Sequence, residues 1–306
     1  MGSLEHLMGA PARAVGSLTR TARFTAVMYK PHYLLYAVLW VLAVEGTAAV
    51  VSHAQPWRPS AATAVRIGVI AFVLLYLRMV DEQKDLGYDR VHHPDRPLVT
   101  GAVRATDLRV AMGVIAFGVI AASLVLSVGS AVMITAALAY GVGLWGVETL
   151  SAAVRTGILL NLAVTYPVQL ILTAYLLISA MDTGEVRPRW QAAAVAIVFA
   201  GAFLHFEFAR KTSRVRRTGA LLYSNALGTA GSVAVVLLAA AVAVLCAIAL
   251  VPPRRSVIAW IPVALLVIPL WGALTFRRSA RDDYPVVPAV LFVFTLYITL
   301  ITQALS

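Results

Sequence analysis

Residues 226–251 read ALGTAGSVAVVLLAAAVAVLCAIALV, a run with no charged residue and no proline. A strand of a transmembrane barrel needs only about ten residues, alternating apolar and polar. This run is far longer, rich in Ala, Val and Leu, and does not alternate. As a helix it is long enough to cross roughly 30 Å of hydrocarbon. Outward from it, eight further runs of similar character lie at 32–51, 61–80, 108–128, 131–150, 157–181, 190–209, 257–276 and 284–304. The division between the third and fourth rests on a short turn from Ser127 to Ser130. The expected fold is all-α: one integral membrane domain over residues 1–306, about nine transmembrane helices around a central chamber, preceded by a cytoplasmic segment, 1–31. Composition agrees, at 60% hydrophobic and 13% charged, against about 45–50% and about 25% in soluble domains. A soluble enzyme and a disordered chain are both excluded. Cys246 is the single cysteine, so neither an internal disulfide nor a multi-cysteine metal site is available.

The net charge is +11, from 25 Lys and Arg against 14 Asp and Glu. In a membrane protein such an excess first reports orientation, because basic residues concentrate in cytoplasmic loops; no nucleic-acid partner is expected. With nine spans, the N-terminal segment shares a side with the loops after the second, fourth, sixth and eighth. Nineteen of the 25 basic residues fall there and six on the other side, Arg58, Arg66 and Arg187 among them. The first 31 residues carry Arg13, Arg20, Arg23 and Lys30 and lack the apolar core of a cleavable signal. The expected setting is a prokaryotic cell membrane, with the bilayer as partner and the N-terminus and both long polar loops in the cytoplasm.

Residues 81–89, DEQKDLGYD, end the second span. If the helix continues, Asp81, Asp85 and Asp89 recur on one face. Stacked carboxylates repel, and a divalent cation relieves the repulsion. Mg²⁺ is typically held by one or two carboxylates plus substrate phosphates. A solvated acidic helix end is the plain alternative, and the segment alone does not separate the two. Arg90, His92, His93, Arg96 and Arg104 follow directly, and carboxylates for metal beside guanidinium groups for phosphate oxygens suit a metal–diphosphate. The adjacent histidines are candidate ligands, although such loop pairs more often are not.

A second cluster holds His205, Glu207, Arg210, Lys211, Arg214, Arg216 and Arg217 at the end of the sixth span. Glu207, Lys211 and Arg214 share a face if the helix continues. The cluster reads either as a helical ion pair with interfacial anchors or as a phosphate site. The second reading is favoured because both clusters lie on one membrane side. Within the spans, Tyr140, Trp145, Glu148, Asn161, Thr165, Tyr166 and Gln169 stand out, and Asn161, Thr165 and Gln169 form a stripe. Such groups usually face the bundle interior. They either bond helix to helix or line a chamber whose aromatic rings stabilise a carbocation.

The span count and the two polar loops resemble the UbiA superfamily of intramembrane prenyltransferases, over nearly the whole chain. That family's first motif is Asn-Asp-x-x-Asp-x-x-x-Asp, followed by an Arg-Pro-Leu segment. Here Asp85 and Asp89 match, Asp81 and Glu82 stand where Asn and Asp are usual, and residues 95–101, DRPLVTG, match the segment. The second motif departs: residues 207–219 read EFARKTSRVRRTG, followed by Tyr223 and Ser224, with Glu207 the one carboxylate where the family has an Asp-rich stretch. The resemblance implies Mg²⁺ as cofactor and an isoprenyl diphosphate as substrate. It implies Asp81, Asp85 and Asp89 as catalytic residues and Asp81, Glu82, Asp85, Asp89 and Glu207 as metal ligands. Arg96, Arg210, Lys211, Arg214 and Asn161 complete the site as substrate-binding residues, with the arginines of the second loop taking over where carboxylates are missing.

The implied reaction is ionisation of the diphosphate and transfer of the prenyl group to an acceptor; terpene cyclisation, also found in the superfamily, is the alternative. A transporter or structural membrane protein is the rival outside enzymes. A transporter would show internal pseudo-repeats and midplane charges, whereas most carboxylates here gather on one membrane face.

Overall fold

The computed structural model describes residues 2–52, 57–217, 219–251 and 260–306, with side chains from Val15 onward. The helices are α1 (Gly2–Met28), α2 (Pro31–Ser52), α3 (Ala61–Lys84), α4 (Leu86–His92), α5 (Ala105–Leu126), α6 (Val128–Leu150) and α7 (Ala152–Thr156). They continue as α8 (Ile158–Thr165), α9 (Pro167–Asp182), α10 (Trp190–Arg210), α11 (Tyr223–Leu250), α12 (Ile261–Leu265), α13 (Val267–Arg278) and α14 (Val286–Leu305). Among the described residues, nine stretches are helical, long and apolar enough to cross a membrane, α8 with α9 and α12 with α13 counting as one each. The chain is an all-α integral membrane bundle. The start of the expected span at 257–276, with Arg254 and Arg255, lies outside the described residues.

Local chemistry sets the breaks. Ser127 is extended and its hydroxyl accepts from the Ser130 N–H, a side-chain cap that separates α5 from α6 where the turn was expected. Pro167 opens α9; its ring removes an N–H, and the fifth span divides there. Gly228 has φ 72° and ψ 164° inside α11, a conformation open to glycine, so the first turn of α11, which carries Tyr223, is set off from the rest. At the start of the molecule, Arg20 and Ser17 of α1 bind Asp107 of α5, and Phe24 is buried.

The apolar core centres on α2, with Trp40, Val41 and Val44 packed among Ile70, Val73, Phe199, Phe292 and Leu296. At the end opposite the acidic motif is a network that loop counting misses. Arg66 is 0% exposed, so it is not a loop cation. Its guanidinium binds Glu45 at 2.7 Å and Glu185 at 3.1 Å, donates to Ser179 Oγ at 2.9 Å, and bonds Thr183. Glu45 also accepts from Trp57 Nε1 at 3.1 Å and from Thr63 Oγ1 at 2.7 Å. Arg66 and Glu45 thus pair in the buried interior, with their remaining polar atoms satisfied by neighbours, as a buried charge requires.

Candidate active site

Backbone bonding continues through the acidic motif. The Asp85 N–H donates to Asp81 O, Asp89 N–H to Asp85 O and His93 N–H to Asp89 O. Asp85 itself has φ −88° and ψ 4° and joins α3 to α4 with a slight irregularity. Asp81, Asp85 and Asp89 therefore do follow one another turn by turn.

Their surroundings differ. Asp81 is half exposed and lies 3.3 Å from Lys84. Lys84 also reaches Glu148 at 3.1 Å. Glu148 accepts from the Asn161 amide at 3.0 Å, so this face joins α3, α6 and α8. Glu82 and Asp89 are each 1% exposed. Arg78 pairs with Glu82 at 2.8 Å, while Arg96 pairs with Asp89 and stands 3.8 Å from Glu82. Burial pushes the Asp85 carboxyl up to about 6; Lys84 opposes this, and the charges of Asp81, Glu148 and Asp89 add to it.

Two oxygens in this cluster, Glu82 Oε1 and Asp89 Oδ1, are buried without a hydrogen-bond partner. Such groups are rare in folded proteins and call for an occupant. Among the described residues no three carboxylate, imidazole or thiol groups converge to hold a metal by themselves. The donor set fits a hard cation held by a few carboxylate oxygens and completed by phosphate, which is the habit of Mg²⁺. His92 stacks on Tyr88, with ring centroids 4.2 Å apart.

The second cluster is of the opposite kind. Glu207 is 5% exposed, and both its oxygens are engaged: Arg210 Nε at 2.5 Å, Lys211 Nζ at 2.9 Å and the Tyr223 hydroxyl at 3.1 Å. It holds two cations and a phenol in place. The expected shared face with Arg214 does not form, because α10 ends at Arg210 and the chain turns at Lys211. The Arg214 N–H donates to Asp282 O, and its guanidinium lies 4.6 Å over the Phe276 ring. Arg217 pairs with Asp283 at 2.9 Å.

No hydrogen bond or ion pair joins the two clusters among the described residues; α8 lies between them. Asn161 faces Glu148, while Ile158 and Leu162 pack into the apolar cluster that contains Phe208 and Tyr223. The other expected stripe members diverge: Thr165 bonds back to Asn161 O, and Gln169 faces the Tyr36 hydroxyl deeper in the bundle. There Tyr36 lies between Gln169 and Tyr297, while Trp40 Nε1 and the Tyr166 hydroxyl are buried without a partner. Lys84, Arg78 and Glu148 complete the site and were not among the expected site residues. Glu148 carried a signal, as an ionisable residue in an apolar span.

No family model matches the sequence, and neither does a curated relative. Solved structures do match. A UbiA homolog from Aeropyrum pernix K1 shares 16% identity at a TM-score of 0.60, covering 87% of this chain and 96% of its own. A digeranylgeranylglyceryl phosphate synthase shares 11% identity at a TM-score of 0.59, covering 94% of this chain and 99% of its own. The chain has the UbiA-type fold over nearly its whole length.

Proposed function

We propose that this UbiA-type bundle is a prenyltransferase, which ionises an isoprenyl diphosphate and passes the prenyl group to an acceptor. The observation that carries the reading is the pair of buried, unpartnered oxygens on Glu82 and Asp89 beside Asp85. They lie on the membrane side where α10 also delivers its cations. A likeness to a digeranylgeranylglyceryl phosphate synthase supports it.

Asp85, Asp89, Glu82 and Asp81 are the residues that would hold Mg²⁺, which supplies charge neutralisation to a departing diphosphate. Lys211 and Arg210 approach the diphosphate from the other loop. Glu207 and Tyr223 set their direction, so that the cations are in place before negative charge develops on the leaving group. Arg96, fixed by Asp89, positions the acidic segment and offers its remaining N–H groups to phosphate. Asn161 acts through Glu148 and Lys84. The interior around Tyr36, Trp40, Tyr166 and Tyr297 receives the apolar tail and the acceptor, with cytoplasm on the site side.

The test is incubation of purified protein with prenyl diphosphates of several lengths, with and without acceptor and chelator. A prenylated acceptor that fails to form in chelator is expected. A cyclic hydrocarbon formed without acceptor would overturn transfer, and diphosphates left intact under all conditions would overturn the enzyme reading.

A further inference from the structure

A cavity of about 470 Å³ opens beside the site, between the end of α1, the start of α2 and the loop after α4. Val27, Met28, Lys30, Arg78, Asp95 and Arg96 are among its walls. Neither the carboxylates of the acidic motif nor any residue of the second cluster lines it.

Its charges are unevenly satisfied. Arg78 and Arg96 each spend one edge on Glu82 or Asp89, and Arg78 Nε is buried without an acceptor. Among the described residues Lys30 and Asp95 form no ion pair, with each other or with anything else. The cavity thus offers an unspent cation, an orphaned guanidinium N–H and, separately, an unspent carboxylate. A simple anion would satisfy the first two and be repelled by the third.

The setting is a membrane interface. The first span begins at Pro31 and the second ends at Lys84. α1 turns apolar residues outward along its length, with Val15 62%, Leu18 72% and, at the cavity wall, Val27 57% exposed. A helix with one face packed on the protein and an apolar outer face lies naturally at the headgroup–acyl boundary.

We infer that this cavity binds the headgroup of a zwitterionic phospholipid carrying a primary ammonium, namely phosphatidylethanolamine. Its phosphate takes Lys30 and the unpaired side of Arg78, its ammonium takes Asp95, and its acyl chains run down past Val27 and Met28. A choline headgroup has no N–H to give Asp95. A glycerol headgroup leaves the carboxylate unpaired beside the phosphate.

The full chain, stripped of lipid in neutral detergent, is titrated with short-chain phosphatidylethanolamine, phosphatidylcholine, phosphatidylglycerol and inorganic phosphate. Binding is read by native mass spectrometry. Phosphatidylethanolamine should bind about tenfold tighter than the other two lipids, the worth of one charge-assisted hydrogen bond. Lys30→Gln should weaken it about tenfold and Lys30→Arg should restore it. Asp95→Asn should abolish the preference over phosphatidylglycerol. Neither Lys30→Gln nor Asp95→Asn should change turnover of prenyl diphosphate. Equal binding of all three lipids, or indifference to Lys30→Gln, overturns the inference. Inorganic phosphate binding as tightly would make the cavity a free-phosphate site. Competitive displacement of lipid by prenyl diphosphate would assign it to the diphosphate. Either outcome also overturns the inference, while prenyl transfer itself is read separately, by product formation.

Discussion

At the residue scale, Asp85 carries the most consequence. Its carboxyl is held near 6 against an ordinary 3.8, chiefly by burial. Folding therefore favours its protonated form. Without a cation, its contribution to stability should be greatest at low pH and decline as pH rises from about 4 to about 6, because the unfolded chain gives up that proton first. Melting temperatures measured across that range, with and without Mg²⁺, check this: Mg²⁺ should flatten the decline, and Asp85→Asn should remove it. The same substitution should cost turnover about a hundredfold or more while leaving the fold intact. Undiminished activity in Asp85→Asn, or in excess chelator, refutes the metal role. The spacing of Asp81, Asp85 and Asp89 was legible because backbone periodicity is local. That Asp89 is buried against Arg96 while Asp81 is half exposed was not, because burial is decided by the loop that folds back over the helix.

At the element scale, the end of α10 separates anchored cations from poised ones. Arg217 already has Asp283, and Arg214 rests on Phe276, whereas Lys211 is held beside Tyr223 by a buried carboxylate. Lys211→Gln should raise the Michaelis constant for the prenyl diphosphate about tenfold or more, and Arg217→Gln should leave it nearly unchanged. Equal effects would mean that the loop acts only as diffuse positive charge. A helical wheel placed Arg214 with Glu207; the helix stops at Arg210, and nothing in the sequence forbids one more turn. The stop comes from distant partners, since Thr212 O accepts from Tyr284 N–H and Arg214 N–H reaches Asp282 O. The turn at Ser127 was readable, because a capping hydroxyl acts on its immediate neighbours; the break at Pro167 falls inside the span expected at 157–181, which was read as one run.

At the scale of the whole molecule, the nine spans were the most legible feature, since a hydrocarbon slab imposes length and apolarity on each segment separately. The same habit of reading charges as loop markers misassigned Arg66, which is sealed inside the bundle with Glu45. Glu45→Ala should strip Arg66 of its closest carboxylate partner and cost about 3–5 kcal/mol, read as a loss of thermal stability; an unaltered melting point would mean that Glu185 suffices. With Cys246 replaced by Ser, single cysteines at Arg90 and Arg216 should react with an impermeant thiol reagent from one side of the membrane, and one at Arg187 from the other. Labelling of all three from one side would break the topology. The Arg66 network ties α2, α3 and the end of α9 together, while Trp57 and Arg58 hold the last turn of α14 through Ala304 O and Leu305 O. These bonds pin α2, α3, α9 and α14 at this end, while at the other, among the described residues, no hydrogen bond or ion pair joins the acidic cluster to the second, so the two sides resemble tweezers held at their joint. A tilt of about 10° pivoting there would swing the far tips by roughly 5 Å across a 30 Å hydrocarbon slab, enough to open a gap between neighbouring helices for the tail of the proposed substrate to slide in sideways from the bilayer.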